Sequence, residues 1–142
     1  MTPSDEKIST HEFETRLPYL CVTRRGGSLP RRRRDLHIVL KSVALTLDRT
    51  GVYTETRLNT DLRQWLDQVG YNFRLDHVTL RRTLVDYGYV RRNPAGTQYH
   101  VSSRNDGLFD PLVESLDPAF VVEEAERQRN AKRKAYLARK PG

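Results

Sequence analysis

The chain has one cysteine, one methionine and one tryptophan in 142 residues, and no long apolar run. A lone thiol, Cys21, cannot close an internal disulfide, which fits a reducing, cytoplasmic setting. It lies beside Leu20 and Val22 with no neighbouring base, so nothing marks it as a nucleophile. The opening MTPSDEKISTHEFE is polar and acidic and does not read as a secretion signal. No stretch approaches the roughly 20 apolar residues that span a bilayer, so no membrane partner is expected. His11, His37, His77 and His100 are well separated, with no Cys or His at ligand spacing, so no metal site is expected. Gly26-Gly27 lacks the Gly and Lys that would complete a phosphate-binding loop. A non-enzymatic protein without a cofactor follows as the expectation.

What is abundant is positive charge, and it is segregated. The chain carries +7 overall. Residues 1–20 carry −2, residues 21–49 carry +6, residues 50–103 carry +2, residues 104–126 carry −6 and residues 127–142 carry +7. Such an excess favours a polyanion or an acidic protein surface as partner, and says nothing of fold.

Periodicity supplies the fold. Ser9 or Thr10 can cap a short helix over residues 10–16, and residues 17–22 read as an extended apolar segment in which Pro18 suits a sheet edge. Arg24, Arg25 and two glycines then turn the chain. Leu36, Val39, Leu40, Val43 and Leu47 recur at helical spacing, with Gly51 beyond the end. After a short β-rich stretch at Tyr53, a second helix carries Leu58, Leu62, Trp65 and Leu66 and stops at Gly70. Asp76 caps a third, holding Leu80 and Leu84 and stopped by Gly88. Two β-runs around Asn93-Pro94-Ala95-Gly96 form a hairpin. Three helices closed by a hairpin predict an α+β, mainly helical winged helix. The predicted organisation is an N-terminal extension over residues 1–19, a winged-helix domain over 20–103, and an acidic linker with a basic C-terminal helix over 104–142. A compact core of roughly 80 residues is expected, with the rest exposed. Asp117-Pro118 starts the last helix, with acids near its start and bases near its end, as the helix dipole favours.

At SLPRRRRDLHIVLKSVA, VYTETRLNTDLRQW, DHVTLRRTLVDYGYVRR and GTQYHV the sequence resembles the bacterial domain of unknown function 2087. The resemblance rests on the segment from Gly27 to Arg34, on Tyr53-Thr54-Glu55 with Asn59, on Leu80 to Gly88, and on Arg91 with Gly96 and Tyr99, within residues 20–101. It implies a winged-helix-like domain of the kind found behind ArsR-type DNA-binding domains in transcriptional regulators. No preceding helix-turn-helix domain is expected in this chain, and an N-terminal segment and a charged tail are expected in its place.

The arginines carry the functional expectation. Arg81 and Arg82 on the third helix can enter a major groove, where guanidinium forks suit guanine edges and phosphates, or can pair internally with Glu55, Asp76 or Asp86. Arg91 and Arg92 alternate across a strand, so one is expected to face outward. Arg31, Arg32, Arg33 and Arg34, with Arg24 and Arg25, form the densest basic patch, and only Asp35 lies nearby in sequence to pair with them. Lys132, Arg133 and Lys134 belong to a basic arm. The expected function is a winged-helix transcription regulator binding duplex DNA. The alternative is a protein-interaction module docking on RNA polymerase or a sigma factor.

Overall fold

The computed structural model describes residues 6–24 and 27–139. Among the described residues the architecture is α+β and mainly helical, with five α-helices and one two-stranded antiparallel hairpin. No helix among the described residues is long and apolar enough to cross a membrane.

Helix α1 spans Thr10–Pro18 and starts where the Ser9 hydroxyl accepts the Glu12 N–H at 3.0 Å. Residues 17–22, expected as an edge strand, are helical. A wider, π-type turn over Tyr19–Thr23 continues α1, and its last hydrogen bond runs from Arg24 N–H to Tyr19 O at 2.8 Å. Pro18 lacks an N–H and crowds the carbonyl four residues back, and a local widening of the helix accommodates such a residue. Phe13, Leu17, Leu20 and Cys21 are all buried, a three-and-four spacing that only a helix can satisfy on one face.

Helix α2, Arg33–Leu45, is the central strut: every residue from Asp35 to Ala44 is buried, including His37, Lys41 and Ser42. Helix α3, Glu55–Gln68, is capped by the Thr54 hydroxyl on Arg57 N–H and buries Leu58, Leu62 and Trp65. The Trp65 indole donates to Ser42 Oγ at 3.1 Å and stacks on Phe73 at 6.1 Å between centroids. Gly70 ends this region because its backbone runs against the indole: a Cβ there would lie 2.2 Å from the ring.

Helix α4, His77–Asp86, is capped by Asp76 on Thr79 N–H at 2.7 Å. It stops at Gly88, which takes φ +79°, while Gly88 N–H and Tyr89 N–H return to Val85 O and Leu84 O. This left-handed glycine termination is the one the sequence predicts. Strands β1, Val90–Arg92, and β2, Tyr99–Val101, follow. A further bond from Asn93 N–H to Gln98 O at 3.0 Å extends the ladder by one step. The expected β-rich stretch at Tyr53 joins this hairpin through reciprocal backbone bonds with Tyr99 of 2.8 and 2.9 Å.

Burial reaches well past the expected core of about 80 residues. Ile8, Phe13 and Leu17 at one end and Phe109, Val113 and Val122 at the other join the same cluster as Trp65. Ile8 and Phe109 form a parallel bridge, which brings the two ends side by side. Two short 3-10 turns, Asp106–Leu108 and Pro111–Ser115, carry the acidic stretch over α2. There Glu114 and Asp106 receive the buried Lys41 ammonium, and Arg49 bridges the same two carboxylates at 2.7 Å each. Helix α5, Pro118–Arg139, docks through Pro118 and Val122, and every residue from 127 to 139 is exposed.

Candidate functional site

Helix α4 and the hairpin enclose a cleft of about 240 Å³ edged by Arg81, Arg82 and Arg92, with Glu55 and Asp86 also on its walls. Leu80 and Leu84 fix the rotation of α4 by facing the core. That rotation aims Arg81 toward α3. Its guanidinium lies 2.8 Å from Glu55, donates to Asn59 Oδ1 at 2.5 Å, and covers the Tyr99 ring at 5.9 Å. Its position is therefore set by three internal contacts. Arg82, one residue on, points to solvent, and with Val78 and Asp86 it forms the exposed stripe at four-residue spacing.

Val90 is buried, and both Arg91 and Arg92 are exposed. The two still alternate: Arg92, opposite the buried Tyr99, lies on the cleft side and Arg91, opposite the exposed His100, on the other, and both stay exposed because only the base of the short ribbon is covered by the core. The Arg92 guanidinium lies against the turn, where a Cβ on Gly96 would come within 2.2 Å of it. Among the described residues no carboxylate lies within 4.0 Å of Arg82, Arg91 or Arg92, whereas Arg81 has Glu55. Guanidinium forks held in this way can grip phosphate or carboxylate oxygens bidentately.

The patch leading into α2 is divided. Arg34 is committed internally: it holds both carboxylate oxygens of Glu12 at 2.5 and 2.6 Å and the Glu6 carbonyl at 2.8 Å. The Glu12 carboxylate raises its pKa. Asp35 is buried and takes a forked bond from Arg16, at 2.9 and 3.2 Å, with Arg32 more distant at 4.0 Å. The expectation that only Asp35 is at hand for these arginines is overturned, because α1 packs alongside and delivers Glu12. Arg31 and Arg33 remain exposed, without a carboxylate partner among the described residues. Arg24 donates to the Ser28 carbonyl and thereby ties its own loop. Arg25 lies outside the described residues. Lys132, Arg133 and Lys134 are exposed on the free half of α5.

Two arrangements had no counterpart in the sequence reading. One is the buried Lys41 with its carboxylates. The other is His37, whose Nδ1 lies 2.6 Å from the buried Tyr89 hydroxyl. Burial, and then Arg33, lower the His37 pKa. The signal was the pair His37 and Lys41, four residues apart and so on one face of a helix rich in buried apolar side chains. Burial pushes the Cys21 thiol up to about 12, which keeps it protonated. No group of three or more His, Cys, Asp or Glu side chains among the described residues is disposed to hold a metal ion.

The fold and cleft define a small basic α+β domain with an arginine-edged groove between a helix and a hairpin. Residues 27–101 match the family of uncharacterized proteins conserved in bacteria (DUF2087), and the chain belongs to that family. The matched segment runs from the loop before α2 to the end of β2 and contains the whole cleft. No curated protein and no solved structure matches the chain.

Proposed function

We propose that this protein is a non-enzymatic, cytoplasmic transcription regulator of winged-helix type that binds duplex DNA. The order α2, Tyr53 bridge, α3, α4 and hairpin supports the winged-helix reading, with Tyr53 as the short third strand. In that reading α4 is the helix presented to the groove and the β1–β2 hairpin is the wing. The observation that carries the proposal is the pair Arg82 and Arg92, which flank one cleft from two different elements, both exposed and both without an internal carboxylate partner among the described residues. Arg82 would meet base edges, Arg91 and Arg92 the flanking backbone, and Arg31, Arg33 and the Lys132–Arg133–Lys134 arm further phosphates. Arg81 serves as a wall of the cleft, not as a reader.

The exposed stripe of α4 also favours a second reading. Val78 and Asp86 on either side of Arg82 make a mixed surface that suits a protein partner, RNA polymerase or a sigma factor, as well as a duplex. A salt series separates the two. Duplex binding must release counterions, so log affinity falls linearly with log salt. Fluorescence anisotropy on a random duplex pool is expected to show that slope, and Arg82→Ala to relax sequence preference. Co-elution with RNA polymerase from a nuclease-treated lysate, without tight duplex binding, would replace the DNA reading with the docking one.

A further inference from the structure

A second concavity of about 390 Å³ opens where residues 6–8, the first turns of α2 and residues 105–108 meet. Arg33 and His37 line it from α2, with Lys7, Ile8, Asn105 and Leu108 around them. His37 is only 6% exposed, yet its ring lines this cleft. Its Nδ1 is occupied by the Tyr89 hydroxyl at 2.6 Å, and its Nε2 has no hydrogen-bond partner among the described residues. The Tyr89 hydroxyl is buried and its pKa is raised, so it keeps its proton. Its other acceptor, the His37 carbonyl, is farther away at 3.4 Å. A phenol that donates to the nearer Nδ1 leaves the ring proton on Nε2, and the side chain that carries this N–H lines the cleft.

The charges around that N–H are selective. Arg34 is neutralised by Glu12, so the Arg33 guanidinium and the Lys7 ammonium remain, against one Glu6 carboxylate. The balance is a single positive charge. Leu108 is 41% exposed and offers an apolar wall opposite these polar groups. Gly107 leaves the rim open, with nothing within 4 Å of a Cβ placed there.

We propose that this cleft binds a small organic monoanion, a carboxylate on an aliphatic or aromatic frame. The carboxylate bridges the Arg33 guanidinium and His37 Nε2–H, and the apolar body rests on Leu108. The site is separate from the α4–hairpin cleft and shares only Arg33 with the phosphate contacts proposed above. It communicates with the hairpin by one contact, because Tyr89 directly precedes β1.

The test uses the full chain with ¹⁵N-labelled histidine, titrated with benzoate, hexanoate and inorganic phosphate. The His37 Nε2 resonance is expected to shift saturably with at least one of the two acids. Arg33→Ala, at an exposed position without an internal carboxylate partner, is expected to weaken that binding at least tenfold and leave the melting temperature unchanged. Arg33→Lys, which keeps the charge and loses the fork, is expected to fall between. No saturable shift with either acid up to about 10 mM would overturn the proposal. So would undiminished binding by Arg33→Ala, or tighter binding of phosphate than of either acid.

Discussion

Arg81 lies 2.8 Å from Glu55, and this ion pair turns the first arginine of the α4 pair away from solvent and into the wall of the cleft. Two neighbouring side chains of one type therefore have different tasks. Arg81→Ala removes the carboxylate contact, the Asn59 bond and the cover on Tyr99, and is expected to destabilise the protein by about 1–3 kcal/mol. Arg82→Ala is expected to shift stability by no more than about 0.5 kcal/mol and to weaken partner binding. Urea melts beside binding curves for both variants check this, and equal losses of stability would remove the distinction.

Trp65 is 1% exposed, stacked on Phe73 and bonded to Ser42. Trp65→Ala is expected to cost about 3–5 kcal/mol in a urea melt, because a large buried ring leaves a cavity. Gly70→Ala drives a methyl into the same indole and is expected to cost about 1–3 kcal/mol through overpacking. A loss below about 1 kcal/mol for the tryptophan variant would move it out of the core.

His37 gives the stability a pH dependence of definite sign. Burial and Arg33 lower its pKa below the ordinary 6.5. The unfolded chain then binds the proton more readily than the folded one, so stability rises with pH between the two values. The contribution is complete above the unfolded value. It is lost as pH falls below 6.5 toward the lowered folded value, beneath which no more is lost. The urea midpoint is expected to fall between about pH 7.5 and pH 5.5, a window above most carboxylate titrations. His37→Gln is expected to flatten that slope, and an unchanged slope would assign it to other groups.

The free half of α5 tests where packing ends. Deleting residues 130–142, of which 130–139 are described and all exposed, is expected to leave the melting temperature nearly unchanged while weakening partner binding. Deleting residues 118–142 also removes the buried Val122 and is expected to lower it by several degrees. Differential scanning calorimetry on both truncations checks the contrast.

The elements from α2 to β2 were legible in the sequence because each states its own boundaries. Leu36, Val39, Leu40 and Val43 give a helical period, Asp76 a cap and Gly88 a stop. The starts of α1 at Ser9 and of α5 at Asp117-Pro118 were legible too, but the packing of residues 6–24 and 104–126 against the core was not, because what orders it is distant in the chain. Lys41 meets Glu114 and Arg34 meets Glu12 only after the fold forms. Pro18 misled in a different way: proline suits sheet edges, but here the burial of Leu17, Leu20 and Cys21 carries the helix through it. Of the candidate site, the internal use of Arg81 was foreseen as one alternative, with Glu55 among its partners. The loss of Arg34 to α1 was not, since no local pattern places Glu12 beside it.

The bridge between Ile8 and Phe109 bears on the order of events at the ribosome. The family segment between them can gather its helices from near neighbours as it emerges, since loop closure over short separations is entropically easy. The apolar side of α1 cannot be sealed that way. Its cover includes Phe109, Val113 and Val122, all made later, so Phe13 and Leu17 wait uncovered until about 100 residues more have been added. A nascent chain stalled before α5 would thus carry a sticky flank, and chaperone occupancy is expected to be highest at that length and to drop once α5 clears the exit tunnel.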